Sequence, residues 1–159
     1  YEDLSKISGI DSAKATTLLA AFELSKRAME VNDTNLPSIN DAKDAVAQLA
    51  DLRDLKKEHF VALYINARNK LIHRDLVSVG TLNANLVHPR EVFEPAIARS
   101  SVQVIVAHNH PSGDPEPSED DLVITKKLVD GGKLLGIEVI DHIIITKTGY
   151  LSFKDKKLI

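Results

Sequence analysis

The stretch that decides the fold is HNHPSGDPEPSEDD, which occupies residues 108–121. Apolar residues crowd positions 102–107 directly before it, and this run predicts a buried strand that ends at the two histidines. Because successive side chains of a strand point to opposite faces, His108 and His110 point to the same side. Three prolines and a glycine then exclude regular structure between positions 111 and 117.

A helix is predicted to begin directly after this loop. Ser118 is a typical N-cap residue, and the acidic run at 119–121 is typical of a first helical turn. The loop can therefore return Asp121 to the end of the strand, beside His108 and His110. Two imidazoles and one carboxylate without a fourth protein ligand are typical of a catalytic zinc site with an open position. We expect one zinc ion per chain at these three residues.

The spacing of this motif resembles the JAMM signature of MPN-type metallopeptidases. It reads His-x-His, seven residues, Ser, two residues, Asp. The surrounding residues resemble the bacterial RadC family within that group, and further matches lie at residues 80–83, 87–91 and 135–142. The resemblance runs from about residue 40 to the end of the chain. It implies an MPN (cytidine-deaminase-like) fold and zinc-dependent cleavage of a peptide or isopeptide amide, and it carries the family's association with DNA repair.

The amino-acid composition limits the classes of protein to which this chain can belong. The 159 residues suffice for one full domain and a small appendage, and 43% hydrophobic with 4% aromatic residues predicts an aliphatic core. No cysteine is present, so a transition metal must bind nitrogen and oxygen ligands. No apolar run reaches the roughly 20 residues that a membrane span needs, so we expect no membrane partner. The start lacks an initiator methionine and a signal-peptide pattern, which predicts a cytoplasmic protein cut inside an N-terminal module.

That N-terminal module is predicted to span residues 1–35 as a helical segment and linker, with the MPN/JAMM domain at 36–159. The segment resembles the helix-hairpin-helix module of RadC proteins, which would offer backbone N–H groups to a phosphate. Asp11 stands where the second glycine of such a hairpin is usual, and residues 1–35 hold four Lys or Arg against six acids. DNA is therefore a hypothetical partner of this segment, and a helical packing element is the alternative.

Periodicity predicts alternating helices and strands after the module. A helix should begin at Ser38 or Asn40, another at Pro89 with a kink or break at Pro95, and a third should run from Glu119 to Val129 and end at glycines 131 and 132. Strands are predicted at 60–65, 71–79, 102–107, 139–146 and 149–153. This alternation indicates an α/β fold with a mixed sheet preceded by a small helical segment.

Two residues complete the predicted chemistry. The resemblance implies a glutamate near the start of the first sheet strand, and Glu58 lies there as the base that takes a proton from water and passes it to the leaving amine. Glu91, predicted in the first turn of a helix, is its rival. Ser118 should cap its helix, which contributes about 1 kcal/mol. In the JAMM resemblance its hydroxyl also steadies the oxyanion.

The other histidines are predicted to have structural roles. His59 should point away from Glu58, His73 should be solvated, and His88 should cap a helix or line the cleft. Asp141 and His142 should each be satisfied locally in a buried strand, with a role behind the metal ligands as the alternative. Asn109 should face away from the metal.

The leading hypothesis is a zinc-dependent hydrolase of metallopeptidase type that acts on an unknown protein or peptide. The alternative is a DNA-associated repair or recombination protein, in which the MPN domain serves DNA-linked processing or binding. A non-catalytic MPN scaffold is a third hypothesis. A magnesium-dependent nuclease is the fourth, and two imidazoles argue against it because magnesium prefers oxygen ligands.

Overall fold

The computed structural model describes residue 4 and residues 6–29, 36–80 and 87–159. Its contacts divide the chain into two compact units, Tyr1–Leu36 and Pro37–Ile159. The first unit contains helix α1, Ser12–Met29. Asp11 caps this helix, because its Oδ1 accepts a hydrogen bond from the N–H of Lys14 at 2.8 Å. Within the described residues, no helix combines the length and the apolar composition that crossing a membrane requires.

The second unit is built on a mixed five-stranded sheet. Its strands are β1 His59–Ile65, β2 Leu71–Val79, β3 Gln103–Asn109, β4 Glu138–Ile145 and β5 Tyr150–Ser152. Their order is β2-β1-β3-β4-β5. The pair β3–β4 is parallel and the other three neighbouring pairs are antiparallel. The predicted α/β fold with a mixed sheet is therefore confirmed.

Helices cover both faces of this sheet. They are α2 Ala42–Ala47, a short 3₁₀ helix Ala50–Asp54, α3 Pro89–Ala98 and α4 Glu119–Leu135. Alternate residues of β1 and β3 enter different apolar clusters: one cluster includes residues of α3 and α4, and the other includes residues of α2 and the 3₁₀ helix. Burial on both faces explains why the central strands are almost continuously apolar.

The predicted start of the first of these helices is wrong. The helix begins at Ala42 with Asp41 as its N-cap, because the Asp41 carboxylate reaches the N–H of Asp44 at 2.9 Å. Ser38 instead forms a β-bridge with Lys70. The separate 3₁₀ helix Ala50–Asp54 follows α2.

The predicted end of α4 at glycines 131 and 132 is also wrong. The helix continues to Leu135 and ends at Gly136, whose φ of 69° lies in the left-handed region. Gly132 serves packing, because a Cβ there would collide with the carbonyl oxygen of Ile137. At Pro95, where a kink or a break was predicted, α3 continues without a break.

The sheet topology brings distant parts of the chain to one edge. β3 lies between β1 and β4, with Phe60 opposite His108 and His108 opposite Ile144. Because β1 is antiparallel to β3, the residues that precede β1 lie beside the residues that follow β3. The loop after β3 returns at the start of α4. Three segments therefore converge where β3 ends.

Candidate metal centre

The structure brings His108, His110 and Asp121 into one cluster that could hold a metal ion. The Nε2 atom of His108 lies 2.9 Å from Nε2 of His110 and 3.2 Å from Oδ1 of Asp121. The Nε2 atom of His110 lies 3.6 Å from Oδ2 of Asp121. The side chain of His108 is fully buried, whereas that of His110 is 13% exposed. The cluster therefore opens to solvent on the His110 side.

The donor set fits zinc. A tetrahedral zinc ion about 2.0–2.2 Å from each ligand holds its ligand atoms about 3.3–3.6 Å apart. The observed separations of 2.9 to 3.6 Å, measured to one or the other oxygen of Asp121, lie close to that range. Two imidazoles and one carboxylate are also the ligands expected where thiolates are absent. Three protein ligands leave a fourth position for water or substrate.

Ser118 holds the carboxylate of Asp121 in place. Oδ2 of Asp121 accepts hydrogen bonds from the N–H of Ser118 at 2.8 Å and from its hydroxyl at 2.7 Å. The N–H of Asp121 donates in return to the Ser118 hydroxyl oxygen at 3.2 Å. This reciprocal capping box confirms the predicted capping role. It leaves Oδ1, the oxygen nearest His108, outside the capping bonds.

Hydrogen bonds and burial set the charges of the cluster. Burial opposes ionisation of Asp121, but its close contacts with the imidazoles of His108 and His110 outweigh that effect and hold the pKa of Asp121 well below its usual value. Burial lowers the pKa of His108. The hydrogen bond with Asp121 raises the pKa of His110. The cluster thus combines the ionised carboxylate of Asp121, the neutral buried imidazole of His108 and the imidazole of His110, which binds a proton more readily than usual.

Glu58 lies on the metal side of the sheet. The pairing of Phe60 with His108, continued outward by two residues on each strand, places Glu58 opposite His110. The negative charge of Glu58 also raises the pKa of both His108 and His110, as the smallest contribution in each case beside the effects of burial and of Asp121. Glu58 lines an open cleft of about 390 Å³ together with Pro111 and Ser112. Glu58 therefore lies within electrostatic reach of both histidines of the cluster.

Asn109 faces away from the cluster, as predicted, and holds the segment that carries Glu58. Its side-chain oxygen accepts a hydrogen bond from the N–H of His59 at 2.8 Å. Its NH₂ group donates to the carbonyl oxygens of Leu55 at 3.2 Å and Lys57 at 3.0 Å. The residue between the two histidines therefore positions the backbone on both sides of Glu58.

The prediction that His142 is satisfied by local hydrogen bonds is wrong, whereas the same prediction for Asp141 is confirmed. The Nε2 atom of His142 lies 2.8 Å from Nδ1 of His108, so His142 stands directly behind a candidate ligand. Asp141 accepts hydrogen bonds from the hydroxyl of Ser152, the N–H of Lys154 and the N–H of His142. Only the parallel register of β3 and β4 brings the two histidines together.

The remaining predicted residues lie outside the cluster. His88 caps α3 by accepting from the N–H of Arg90, and Glu91 is exposed in the first turn of that helix. His59 bonds the carbonyl oxygen of Lys57. The prediction for His73 is wrong, because this side chain is half-buried and pairs with Asp75 at 3.0 Å. Of the segments that carried the resemblance, residues 81–83 lie outside the described part of the chain.

Comparison with known proteins identifies the family. A family model described as a RadC-like JAB domain matches residues 39–158. The chain belongs to this RadC-like JAB domain family. UPF0758 proteins of Bacillus cereus and Bacillus anthracis are each 47% identical over 156 residues, which cover 98% of this chain and 69% of each relative. A UPF0758 protein of Bacillus mycoides is 46% identical over the same length. The predicted resemblance to RadC is confirmed.

The match to the RadC-like JAB model contains every residue of the cluster and Glu58, and it begins after the first unit. In that unit, the Asp11 carboxylate accepts from the α1 backbone where a phosphate would bind in a helix hairpin. The side chain of Lys14 donates back to the carbonyl oxygen of Gly9 at 2.9 Å. The helix-hairpin-helix identity of this segment and its binding to DNA stay predictions.

Proposed function

We propose that this RadC-like JAB domain is a zinc-dependent hydrolase of metallopeptidase type that cleaves a peptide or isopeptide amide. The observation that carries the proposal is the convergence of two imidazoles and an ionised carboxylate beside Glu58, at a cluster that opens to solvent. Zinc, when bound, supplies a Lewis acid and lowers the pKa of a coordinated water from 15.7 toward about 7. Every other step is assigned to side chains of the chain.

Glu58 is the proposed base. A carboxylate next to the cluster can accept the proton of an attacking water and then donate it to the leaving amine, which departs as a neutral group. Asn109 fixes the backbone on both sides of Glu58 by three hydrogen bonds, so the carboxylate is held without being a metal ligand itself. A positioned acid–base group of this kind contributes about 10²- to 10⁴-fold to the rate.

The substrate is proposed to lie along two open clefts that share Pro111 in their walls. One cleft, of about 390 Å³, contains Glu58, and the other, of about 380 Å³, contains His110. An extended peptide that occupies both clefts would cross the cluster between the proposed base and a proposed ligand. Such a path suits a protein or peptide substrate.

Ser118 is proposed to steady the oxyanion as well as to cap α4. Its single hydroxyl proton is donated to Asp121 Oδ2, so the second role requires that proton to turn toward the substrate. In Ser118→Ala we expect the free energy of unfolding to fall by about 1 kcal/mol through loss of the cap. We expect turnover at saturating zinc to fall by about 10²-fold, in the range of a lost oxyanion donor.

The matched control for Ser118→Ala is Asp41→Ala, which removes the N-cap of α2 instead. This variant should lose similar stability in chemical denaturation and keep its turnover. Full turnover in zinc-saturated Ser118→Ala would remove the oxyanion role and leave only the cap.

Zinc affinity is expected to fall as the pH is lowered. A protonated imidazole cannot bind a metal, and the hydrogen bond with Asp121 raises the pKa of His110 above its usual value. The zinc affinity should therefore be highest above this raised pKa. Below it, the affinity should decline by about tenfold per pH unit for each proton displaced. Titration of zinc against a competing chelator at several pH values measures the slope. An affinity that stays constant down to about pH 5 would contradict the assignment of His110.

The experiment that tests the function combines metal analysis with an unbiased search for cleaved peptides. Wild-type protein loaded with one equivalent of zinc should cleave a subset of a peptide library, and removal of zinc by a chelator should stop cleavage. Glu58→Gln, loaded to the same zinc content, should spare the same peptides. Cleavage that persists without zinc would overturn the proposal.

A further inference from the structure

We propose that Thr125 and His142 form a hydrogen-bonded relay that holds His108 in the tautomer with a free Nε2, and that links this ring to the backbone of Asp121. The inference rests on the proposed metal site, because Nε2 is the atom of His108 that faces His110 and Asp121. Thr125 and His142 contact candidate ligand residues, but neither of them offers a ligand atom to the metal itself. Both are therefore positioning residues.

The relay consists of three short contacts. The hydroxyl of Thr125 lies 2.5 Å from the carbonyl oxygen of Asp121 and 2.6 Å from Nδ1 of His142. On its other side, Nε2 of His142 lies 2.8 Å from Nδ1 of His108. All four residues are buried, with His108 and His142 at 0% exposure. Such a chain of buried polar atoms must be satisfied internally.

The direction of the protons follows from the first contact. A carbonyl oxygen can only accept, so the single hydroxyl proton of Thr125 points to Asp121. The hydroxyl oxygen must then accept from His142, which places a proton on Nδ1 of that ring. A neutral imidazole protonated at Nδ1 carries no proton on Nε2, so Nε2 of His142 is bare. A bare Nε2 accepts from Nδ1–H of His108, which leaves Nε2 of His108 with its lone pair toward the cluster.

The opposite direction conflicts with the same distances. A Thr125 hydroxyl that donated to His142 would leave two acceptor oxygens 2.5 Å apart with no proton between them. His142 would then donate from Nε2 to His108, and the proton of neutral His108 would sit on Nε2, where it blocks a metal. Rotation of the His142 ring is opposed by Phe153, which stacks on it at 4.6 Å, and by the edge contact with Phe60.

The relay has a structural consequence beyond the tautomer. It connects β3, β4 and α4, so the orientation of one candidate ligand depends on the helix that carries another. His110 has a simpler arrangement, because its Nδ1 donates to the carbonyl oxygen of Asp114 at 2.8 Å. When a metal replaces the proton between their Nε2 atoms, both neutral imidazoles would therefore present an unprotonated Nε2 to it. Partners of this kind behind a ligand change metal affinity by about 10- to 100-fold when they are removed.

The direct test observes the proton on His142. Long-range ¹⁵N–¹H correlation spectra of metal-free wild-type protein should show His142 as a neutral ring protonated at Nδ1. A ring protonated at Nε2 would overturn the relay without any variant. This measurement does not depend on turnover or on bound zinc, so the relay stands or falls separately from the proposed hydrolase.

The variant test is Thr125→Val, which keeps the shape of a β-branched residue and removes the hydroxyl. We expect its zinc affinity to fall by about 10- to 100-fold and its His142 to lose the single tautomer. Thr125→Ser, which keeps the hydroxyl, should retain both properties. Ser152→Ala is the matched control, because it removes a buried hydroxyl that bonds Asp141 and lies outside the relay.

The outcomes separate the claims. Zinc binding in Thr125→Val that equals wild type, with one His142 tautomer, would overturn the relay. An equal loss of zinc affinity in Ser152→Ala would overturn it too, because the loss would then follow from removing any buried hydroxyl and not from breaking the relay. If wild type binds no zinc but His142 carries its proton on Nδ1, the proposed function fails and the relay survives.

Discussion

His108→Ala is expected to abolish stoichiometric zinc binding. His108 is the most buried of the three candidate ligands, and its Nε2 contacts both others, at 2.9 Å from His110 and 3.2 Å from Asp121. Its removal leaves two ligands, one of them on the solvent side, and two ligands fall short of the three that a catalytic zinc site uses. Metal analysis after dialysis should find about one zinc per chain in wild type and less than about 0.1 in the variant.

The control for this experiment is His73→Ala. His73 is a half-buried histidine on β2 that pairs with Asp75 and has no contact with the cluster among the described residues. The control should bind zinc as wild type does, and both variants should show a cooperative unfolding transition. A folded His108→Ala protein that retained one zinc per chain would refute the ligand assignment.

Glu58→Gln is expected to retain zinc and lose most of its activity. The amide has nearly the same size as the carboxylate, so the backbone held by Asn109 should stay in place. An amide cannot accept the proton of the attacking water, and turnover should fall by about 10²- to 10⁴-fold. The measurement compares cleavage of a peptide identified with wild type, at equal zinc content, with the KM and the kcat determined separately.

Glu91→Gln provides the matched control. Glu91 is the other glutamate that the sequence suggested, and it is exposed at the start of α3. This variant should keep full turnover and the pH profile of wild type. Activity that survives in Glu58→Gln and disappears in Glu91→Gln would transfer the role of the base to Glu91.

Local sequence patterns predicted most of the candidate site. The apolar run before His108 indicated a strand, and the two-residue spacing put His108 and His110 on one side of it. Ser118 three residues before Asp121 indicated a helix start, and the capping box confirms it. These features depend on neighbours within a few residues, which is why the sequence reveals them.

Features that depend on pairing between strands were harder to predict. His142 lies 34 residues from His108, and its role behind that ring follows from the register of two parallel strands. No role was predicted for Thr125. Its position one turn after Asp121 on the same helix face was nevertheless enough to place it beside that candidate ligand. The end of α4 was misplaced because the packing of Gly132 against Ile137 outweighs the weak helix propensity of glycine.

The sequence by itself determined the ligand types, their spacing, and a strand, loop and helix able to bring them together, because each depends on local backbone geometry. The tertiary structure decided which groups stand behind and beside those ligands. Glu58 reaches the cluster because β1 is antiparallel to β3, and His142 reaches His108 because β4 is parallel to it. Strand order and register arise from the packing of the whole sheet between its helices, and no short stretch of sequence encodes them.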